Sequence, residues 1–154
     1  PATFQGALYA SVVERFASNV TLLQDTCPGL VQQIERGALD DCETRAILES
    51  ALRPMLNQGI DTIVLGCTHY PFVIPLIQEI VGQNVRVIDP APAVARQVAR
   101  LLDLTERVAS PRFGTLRFFT SGEASRFKEL LPRLLDETGE VREVTWENDE
   151  IRIK

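Results

Sequence analysis

The sequence predicts an α/β fold built on an open, mainly parallel sheet with flanking helices. Short β-rich segments alternate with segments of helical periodicity along the whole chain, which is the pattern of strand–helix–strand units. Residues 60–66 show no polar alternation, and such a run is typical of a strand buried on both faces. Apolar residues make up 45% of the 154 residues, which is enough for a packed core.

The first 37 residues predict a helix, a strand and a second helix. Leu8 and Phe16, with the valines between them, lie on one face of a helix over residues 6–19. Residues 19–25 are short and β-rich, so a strand is expected there. Residues 27–37 carry Pro-Gly near the start and end in glycine, which suits a short helix.

Residues 40–59 give the clearest helical signal, because aspartates can cap the start and a glycine closes the end. Pro54 is expected to bend this helix. The strand over residues 60–66 follows directly. Pro71 then stands where a helix over residues 70–82 would begin, and proline is favoured at that position.

The second half continues the alternation and adds further strands. The expected elements are a strand over 85–90, a helix over 92–104, a strand with a polar turn over 115–123, a helix interrupted by Pro132 over 124–139, and a strand over 141–146. The charged tail is expected to fray or to form an edge strand. Residues 105–114 are a candidate boundary, and Trp146 and the phenylalanines are expected in the core.

Composition and charge argue against several classes of protein. The net charge is -5 and no block of like charges occurs, which disfavours nucleic-acid binding because phosphate contacts need clustered Lys and Arg. No apolar run reaches the ~18 residues of a membrane span, and no signal peptide is visible. Three sparse cysteines do not resemble a disulfide framework. We therefore expect a cytoplasmic protein with reduced thiols.

Cys67 and the only histidine, His69, mark the candidate site. They follow the predicted strand over residues 60–66, and open parallel sheets bind ligands at the carboxyl ends of their strands. Gly66 permits a sharp turn there. The helix begun by Pro71 is expected to direct free N–H groups toward the cysteine, which favours negative charge. The place suits a thiolate or a carboxylate ligand.

Three interpretations of this pair compete. In the first, the cysteine is buried and inert, as free cysteines commonly are. In the second, Cys-x-His supplies two ligands of a metal site. The usual zinc spacings are absent, so no metal is expected. In the third interpretation the thiol is catalytic, as nucleophile or as acid and base. The position at a strand end, beside the only histidine, favours the third.

Several motifs resemble those of one known family. GCTHYP at residues 66–71 resembles the second cysteine motif of the glutamate racemases. These enzymes belong to the aspartate/glutamate racemase superfamily. Other segments of that family resemble PATFQGALYAS at residues 1–11, CPGLVQQIE at 27–35 and VRVIDPAPAVARQV at 85–98. The spacing between the segments also fits, and the resemblance covers most of the chain.

The resemblance implies an enzyme that interconverts L- and D-glutamate without a cofactor and supplies D-glutamate for bacterial peptidoglycan. Its active site would lie between two α/β lobes, with one thiol on each face of the substrate, since each face needs a group that acts as acid or base. By resemblance, Cys67 is one of these cysteines and His69 assists it. Thr68 and Thr3 bind the substrate, and Glu35 supports the site.

One part of the family pattern is absent. The Cys-Asn-Thr motif with the family's first catalytic cysteine does not occur in the sequence, and Cys27 and Cys42 stand in other contexts. We therefore expect the carboxyl-terminal part of a racemase, inactive and marginally stable alone. Residues 1–90 would form most of the second lobe and residues 91–154 would complete the first. The missing amino-terminal half is expected to complete the site, and the parent to be a homodimer.

Two alternatives stay open. In the first alternative, the chain belongs to an aspartate racemase or to a related racemase or isomerase of the superfamily. Aspartate racemases, however, usually carry Glu where His69 stands. In the other alternative the chain is a non-catalytic module that binds anions at its strand ends.

Overall fold

The computed structural model describes residues 5–104 and 116–153. The helices in this part are α1 (Ala7–Phe16), α2 (Leu30–Glu35), α3 (Cys42–Leu56), α4 (Ile74–Val81), α5 (Ala91–Leu104) and α6 (Ala124–Leu135). The strands are β1 (Thr62–Val64), β2 (Arg86–Ile88), β3 (Phe118–Thr120), β4 (Val141–Glu147) and β5 (Glu150–Ile153), and a 3-10 turn (Tyr70–Val73) precedes α4. The predicted α/β class is confirmed. The boundary expected at residues 105–114 lies outside the described residues.

The described strands form two separate sheets. In the first, β1 and β2 are parallel, with Thr62 opposite Arg86. The second has the order β3-β4-β5, in which β3 and β4 are parallel and β4 and β5 are antiparallel. The charged tail thus forms an edge strand. It is reached through Asn148 and Asp149, both at positive φ, as a two-residue hairpin turn of the I′ kind requires.

The core lies between the first sheet and the helices α2, α3 and α4. It consists of Leu30, Ile34, Leu48, Leu52, Leu65, Val73, Leu76, Ile77, Val81 and Val85. The predicted cap of α3 is present, because the Asp41 carboxylate accepts a hydrogen bond of 2.8 Å from the Thr44 N–H. The buried Thr44 hydroxyl donates to the Ala38 carbonyl at 2.7 Å. These bonds fix the start of α3 against the loop that follows α2.

The strand predicted over residues 19–25 does not form, so that prediction is wrong. The segment has no assigned secondary structure, and Val20 and Leu22 are exposed. A strand needs a neighbour to pair its backbone N–H and C=O groups. No described strand lies beside this segment in either sheet.

The prediction that the strand after residue 60 is buried on both faces is also wrong. Leu65 is buried, but Val64 is 65% exposed. Helices cover one face of the β1–β2 pair, and the Val64 side chain lies on the other. Trp146 was predicted in the core and is 67% exposed instead. It lies in β4 opposite Ile151, which is exposed as well.

Two prolines divide the helix predicted over residues 70–82. Pro75 has no N–H to donate to the carbonyl of Pro71, so one α-helical ladder cannot run through both turns. Instead, the Ile74 N–H donates to the Pro71 carbonyl, which closes a 3-10 turn. The α-helix therefore begins at Ile74 and not beside Cys67, contrary to the prediction. Pro132, by contrast, does not interrupt α6.

Helices α1 and α5 contain no buried residue. Both have the predicted apolar face, as shown by Leu8 and Phe16 in α1 and by Val94 and Val98 in α5. These four side chains are exposed in the structure. The pattern that predicts the helices is thus confirmed, while the packing that such a pattern usually serves is not formed by the described residues.

Candidate active site

Cys67 lies just past the carboxyl end of β1. The ladder between the strands continues to Leu65, whose N–H donates to the Ile88 carbonyl at 3.0 Å. The chain then turns, and the Tyr70 N–H donates to the Cys67 carbonyl at 3.2 Å. Cys67 is half-buried and Thr68 is exposed. The turn at Gly66 therefore presents the thiol and the threonine at the edge of the sheet, as predicted.

A thiol, an imidazole and a carboxylate lie in a row at this edge. The Cys67 Sγ is 3.9 Å from the His69 Nδ1, and the His69 Nε2 is 3.4 Å from a Glu35 carboxylate oxygen. The imidazole side chain is 35% exposed and the carboxylate 53%. A carboxylate on one ring nitrogen fixes which nitrogen carries the proton and leaves the other to exchange a proton with the thiol.

The end of α2 brings Glu35 to this row. Leu30 and Ile34 are fully buried and anchor the helix, and Glu35 is its last residue. Gly37 then adopts a left-handed conformation with φ 72°. Its N–H donates to the Ile34 carbonyl at 2.8 Å, and the next N–H, of Ala38, donates to the Gln33 carbonyl at 3.0 Å. This is a Schellman cap, which ends the helix sharply.

The loop before α2 forms a second border of the site. The Tyr70 hydroxyl donates to the Thr26 carbonyl at 2.7 Å, and burial raises the pKa of Tyr70 to about 12. Burial also raises the pKa of the Cys27 thiol to about 11, with further contributions from Asp25 and then Cys67. Cys27 is therefore a protonated thiol at neutral pH. Tyr70 was not among the candidate site residues that the sequence predicted.

A cavity of about 470 Å³ adjoins the row on the side of Glu35 and His69. The far wall is formed by α6 and the turn before it. The lining from that wall is Thr120, Gly122, Glu123, Arg126, Phe127, Leu130, Leu131, Leu134 and Leu135. Sequence reasoning missed this wall, because α6 is distant in the chain and its residues carry no motif. The one available signal was the apolar face of the helix.

Other predicted features are placed as follows. Thr68 lies beside Cys67 in the turn, whereas Thr3 is outside the described residues. Within residues 5–104 and 116–153, no group of three or more His, Cys, Asp or Glu side chains is arranged to hold a metal ion. None of the helices in these residues combines the length and the hydropathy of a transmembrane span.

Comparison with known proteins gives a consistent result. The profile of the Asp/Glu/Hydantoin racemase family matches residues 2–98. A glutamate racemase of Ectopseudomonas mendocina (strain ymp) is 43% identical over 139 residues, which is 90% of this chain and 53% of the relative. A glutamate racemase of Pseudomonas aeruginosa (strain UCBPP-PA14) is 46% identical over 132 residues, or 86% of this chain and 50% of the relative. The chain thus spans about half the length of these relatives.

Solved structures give the same coverage. Glutamate racemase isoform RacE1 from Bacillus anthracis superposes with a TM-score of 0.78 at 28% identity, over 90% of this chain and 52% of that one. Glutamate racemase from Thermus thermophilus, in complex with beta-chloro-D-alanine, superposes with a TM-score of 0.70 at 26% identity, over 92% and 54%.

Proposed function

The chain belongs to the Asp/Glu/Hydantoin racemase family, and on that premise we propose that it is part of a glutamate racemase and supplies one of its two proton-transfer groups. The reaction is the cofactor-independent interconversion of L- and D-glutamate. The observation that carries the proposal is the row formed by Cys67, His69 and Glu35, with 3.9 Å and 3.4 Å between successive groups. The names of the relatives at 43% and 46% identity support the choice of glutamate.

The row can move a proton in both directions. As a thiolate, Cys67 removes the α-proton of the substrate, and as a thiol it returns one. His69 accepts or supplies the thiol proton at Nδ1, and Glu35 stabilises the imidazolium that results. Thr68 is exposed beside the thiol, so its hydroxyl and N–H can bind a substrate carboxylate. Thr3 is proposed for the same role on the strength of the family resemblance alone.

A second acid and base must act on the opposite face of the substrate. Cys27 is poorly suited, because its pKa of about 11 keeps it protonated at neutral pH. Cys42 is exposed at the start of α3. We therefore assign the second thiol to the portion of the relatives that this chain does not match, and expect the chain alone to be inactive.

The same missing portion would complete the fold. We propose that residues 1–90 belong to one lobe and residues 91–154 to the other, which is supported by the two separate sheets. A strand of the missing portion would fit beside residues 19–25 and the free edge of β1, since both lack a partner on that side among the described strands. The parent enzyme is proposed to be a cytoplasmic bacterial homodimer.

A chimera tests the proposed reaction. This chain replaces the matching half of the Pseudomonas aeruginosa relative, and racemisation is followed by circular dichroism with glutamate and with aspartate. We expect activity on glutamate, and a loss of roughly 10²–10⁴-fold or more in Cys67→Ser, because an acid/base group is removed. Cys42→Ser is the matched control and should retain activity.

Exchange of the substrate α-hydrogen with deuterium separates the remaining outcomes. A soluble chimera that binds glutamate without exchange would support the anion-binding module and overturn the proposal. Preference for aspartate would replace the substrate but keep the mechanism. Racemisation by the 154-residue chain alone, abolished by Cys67→Ser, would contradict the assignment of the second thiol to the missing portion.

A further inference from the structure

Helix α6 is joined to the end of α2 by an arginine. The guanidinium Nη2 of Arg133 donates to the carbonyl oxygen of Gly37 at 2.8 Å, across 96 positions of the sequence. Gly37 is buried, so its carbonyl needs a donor from the protein. The approach is close, since a Cβ added at Gly37 would lie 2.5 Å from the Cζ of Arg133. The guanidinium thus occupies the space that a side chain at residue 37 would take.

Gly37 is the residue that closes the Schellman cap of α2, and Glu35 lies two positions before it. The backbone at the end of α2, including that of Glu35, is therefore held as one unit with Gly37. A cation at the carboxyl end of a helix also faces carbonyl groups that carry partial negative charge. Arg133 is consequently bound where it can fix both the position and the direction of the chain around Glu35.

The surroundings of Arg133 show why such a tie matters. Helix α6 packs mainly on β3 and β4, whereas its contact with the core beside α2 is a narrow strip that includes Leu134. The cavity that holds Glu35 and His69 lies along one side of this strip. A second cleft, of about 390 Å³, is lined by Gly37 and by Arg133 itself. Open space thus lies on both sides of this strip, and the Arg133 hydrogen bond adds a polar contact where the apolar one is narrow.

We propose that Arg133 is a positioning residue, which holds the carboxyl end of α2 to α6 and thereby keeps Glu35 beside the Nε2 of His69. The effect of Arg133 on catalysis rests on the proposed function. Its effect on the position of Glu35 beside His69 does not. If Glu35 stays at Nε2, the neutral imidazole carries its proton there, and Nδ1 is left free to face the Cys67 thiol. Without Arg133, the end of α2 moves and the preference for the proton at Nε2 weakens.

Nitrogen NMR on the 154-residue chain tests this directly, because His69 is the only histidine. The ¹⁵N shifts of its ring report which nitrogen carries the proton at alkaline pH, where imidazoles are neutral. We expect the ratio of the Nε2–H to the Nδ1–H form to fall about twofold to fivefold in Arg133→Met, as expected for loss of one partly exposed charged contact. Arg133→Lys should recover part of the ratio.

Lys128→Met is the matched control, since it removes an exposed cation from the same helix and should leave the ratio unchanged. Glu35→Gln sets the value expected when the carboxylate charge is absent. An Arg133→Met variant that keeps a wild-type amide spectrum elsewhere and an unchanged ratio would overturn the proposal, as would equal effects of Arg133→Met and Lys128→Met. An inactive chimera with the expected NMR result would instead count against the proposed function alone.

Discussion

Helices α3 and α5 have similar sequence patterns but differ in how far their apolar faces are buried. Both are amphipathic and of similar length, but α3 buries Leu48 to 2% exposure whereas Val98 in α5 remains 50% exposed. The difference is the partner. Helix α3 lies against α2 and α4 over the first sheet, while no described element packs closely on α5. An apolar face identifies the side of a helix that is suited to burial. The presence of a packing partner decides whether that side is buried.

The largest effect that tests this contrast is expected from truncation of the two faces. Leu48→Ala should lower the free energy of unfolding by about 2–5 kcal/mol, because it leaves a cavity in a packed core. Val98→Ala in the isolated chain should change it by less than about 0.5 kcal/mol, as for a surface site. Urea denaturation measures both. Equal losses would show that α5 is packed in solution.

In the chimera, the difference between the stability losses of Leu48→Ala and Val98→Ala should be smaller. If the missing portion covers α5, Val98→Ala becomes a core truncation and its cost should rise above its cost in the isolated chain. An unchanged cost in an active chimera would mean that this face is not a lobe contact. The comparison between the two contexts thus tests the proposed division of the chain at residue 90.

A smaller effect is expected at the cap of α3, which belongs to the packed region. The Thr44 N–H lowers the pKa of Asp41 from its usual 3.8, so the charged cap stabilises the folded state above that pH. Protonation removes this contribution as the pH falls below about 4. The melting temperature of Asp41→Ala should therefore lie below the wild-type value at pH 7, and the gap should narrow in acid. A gap that grows in acid would exclude this role.

The smallest effect is expected at Trp146, the only tryptophan. Its indole is mostly exposed, so Trp146→Phe should change the stability of the isolated chain by less than about 0.5 kcal/mol. The same exposure predicts fluorescence that a neutral quencher such as acrylamide reduces efficiently. Resistance to quenching in the isolated chain would show that the outer face of the β4–β5 hairpin is covered.

These contrasts also mark how far the sequence alone could predict the molecule. The proximity of Cys67 and His69 could be predicted, because the two residues lie two positions apart at the end of a strand. Glu35 could be placed there only through the family resemblance. Arg133 was not predictable, since nothing local in the sequence specifies a contact with Gly37 across 96 positions.

The wrong predictions have a common physical cause. The strand over residues 19–25, the burial of Val64 and the burial of Trp146 all assume neighbours that the described chain does not provide. Hydrophobic pattern reports the environment for which a residue is suited. It cannot report whether that environment lies in the same polypeptide segment, and here about half of each relative's length is unmatched.

The unpaired segment between α1 and α2 has a further consequence, for the lifetime of the chain. Proteases bind their substrates as extended backbone, and exposed irregular segments are their preferred sites of cleavage. Residues 20–24 offer such a backbone, with Val20 and Leu22 accessible. Any partner that pairs with this segment would at the same time shield it from degradation. Survival of the chain in a cell would then depend on assembly, which would remove unassembled copies without a dedicated signal.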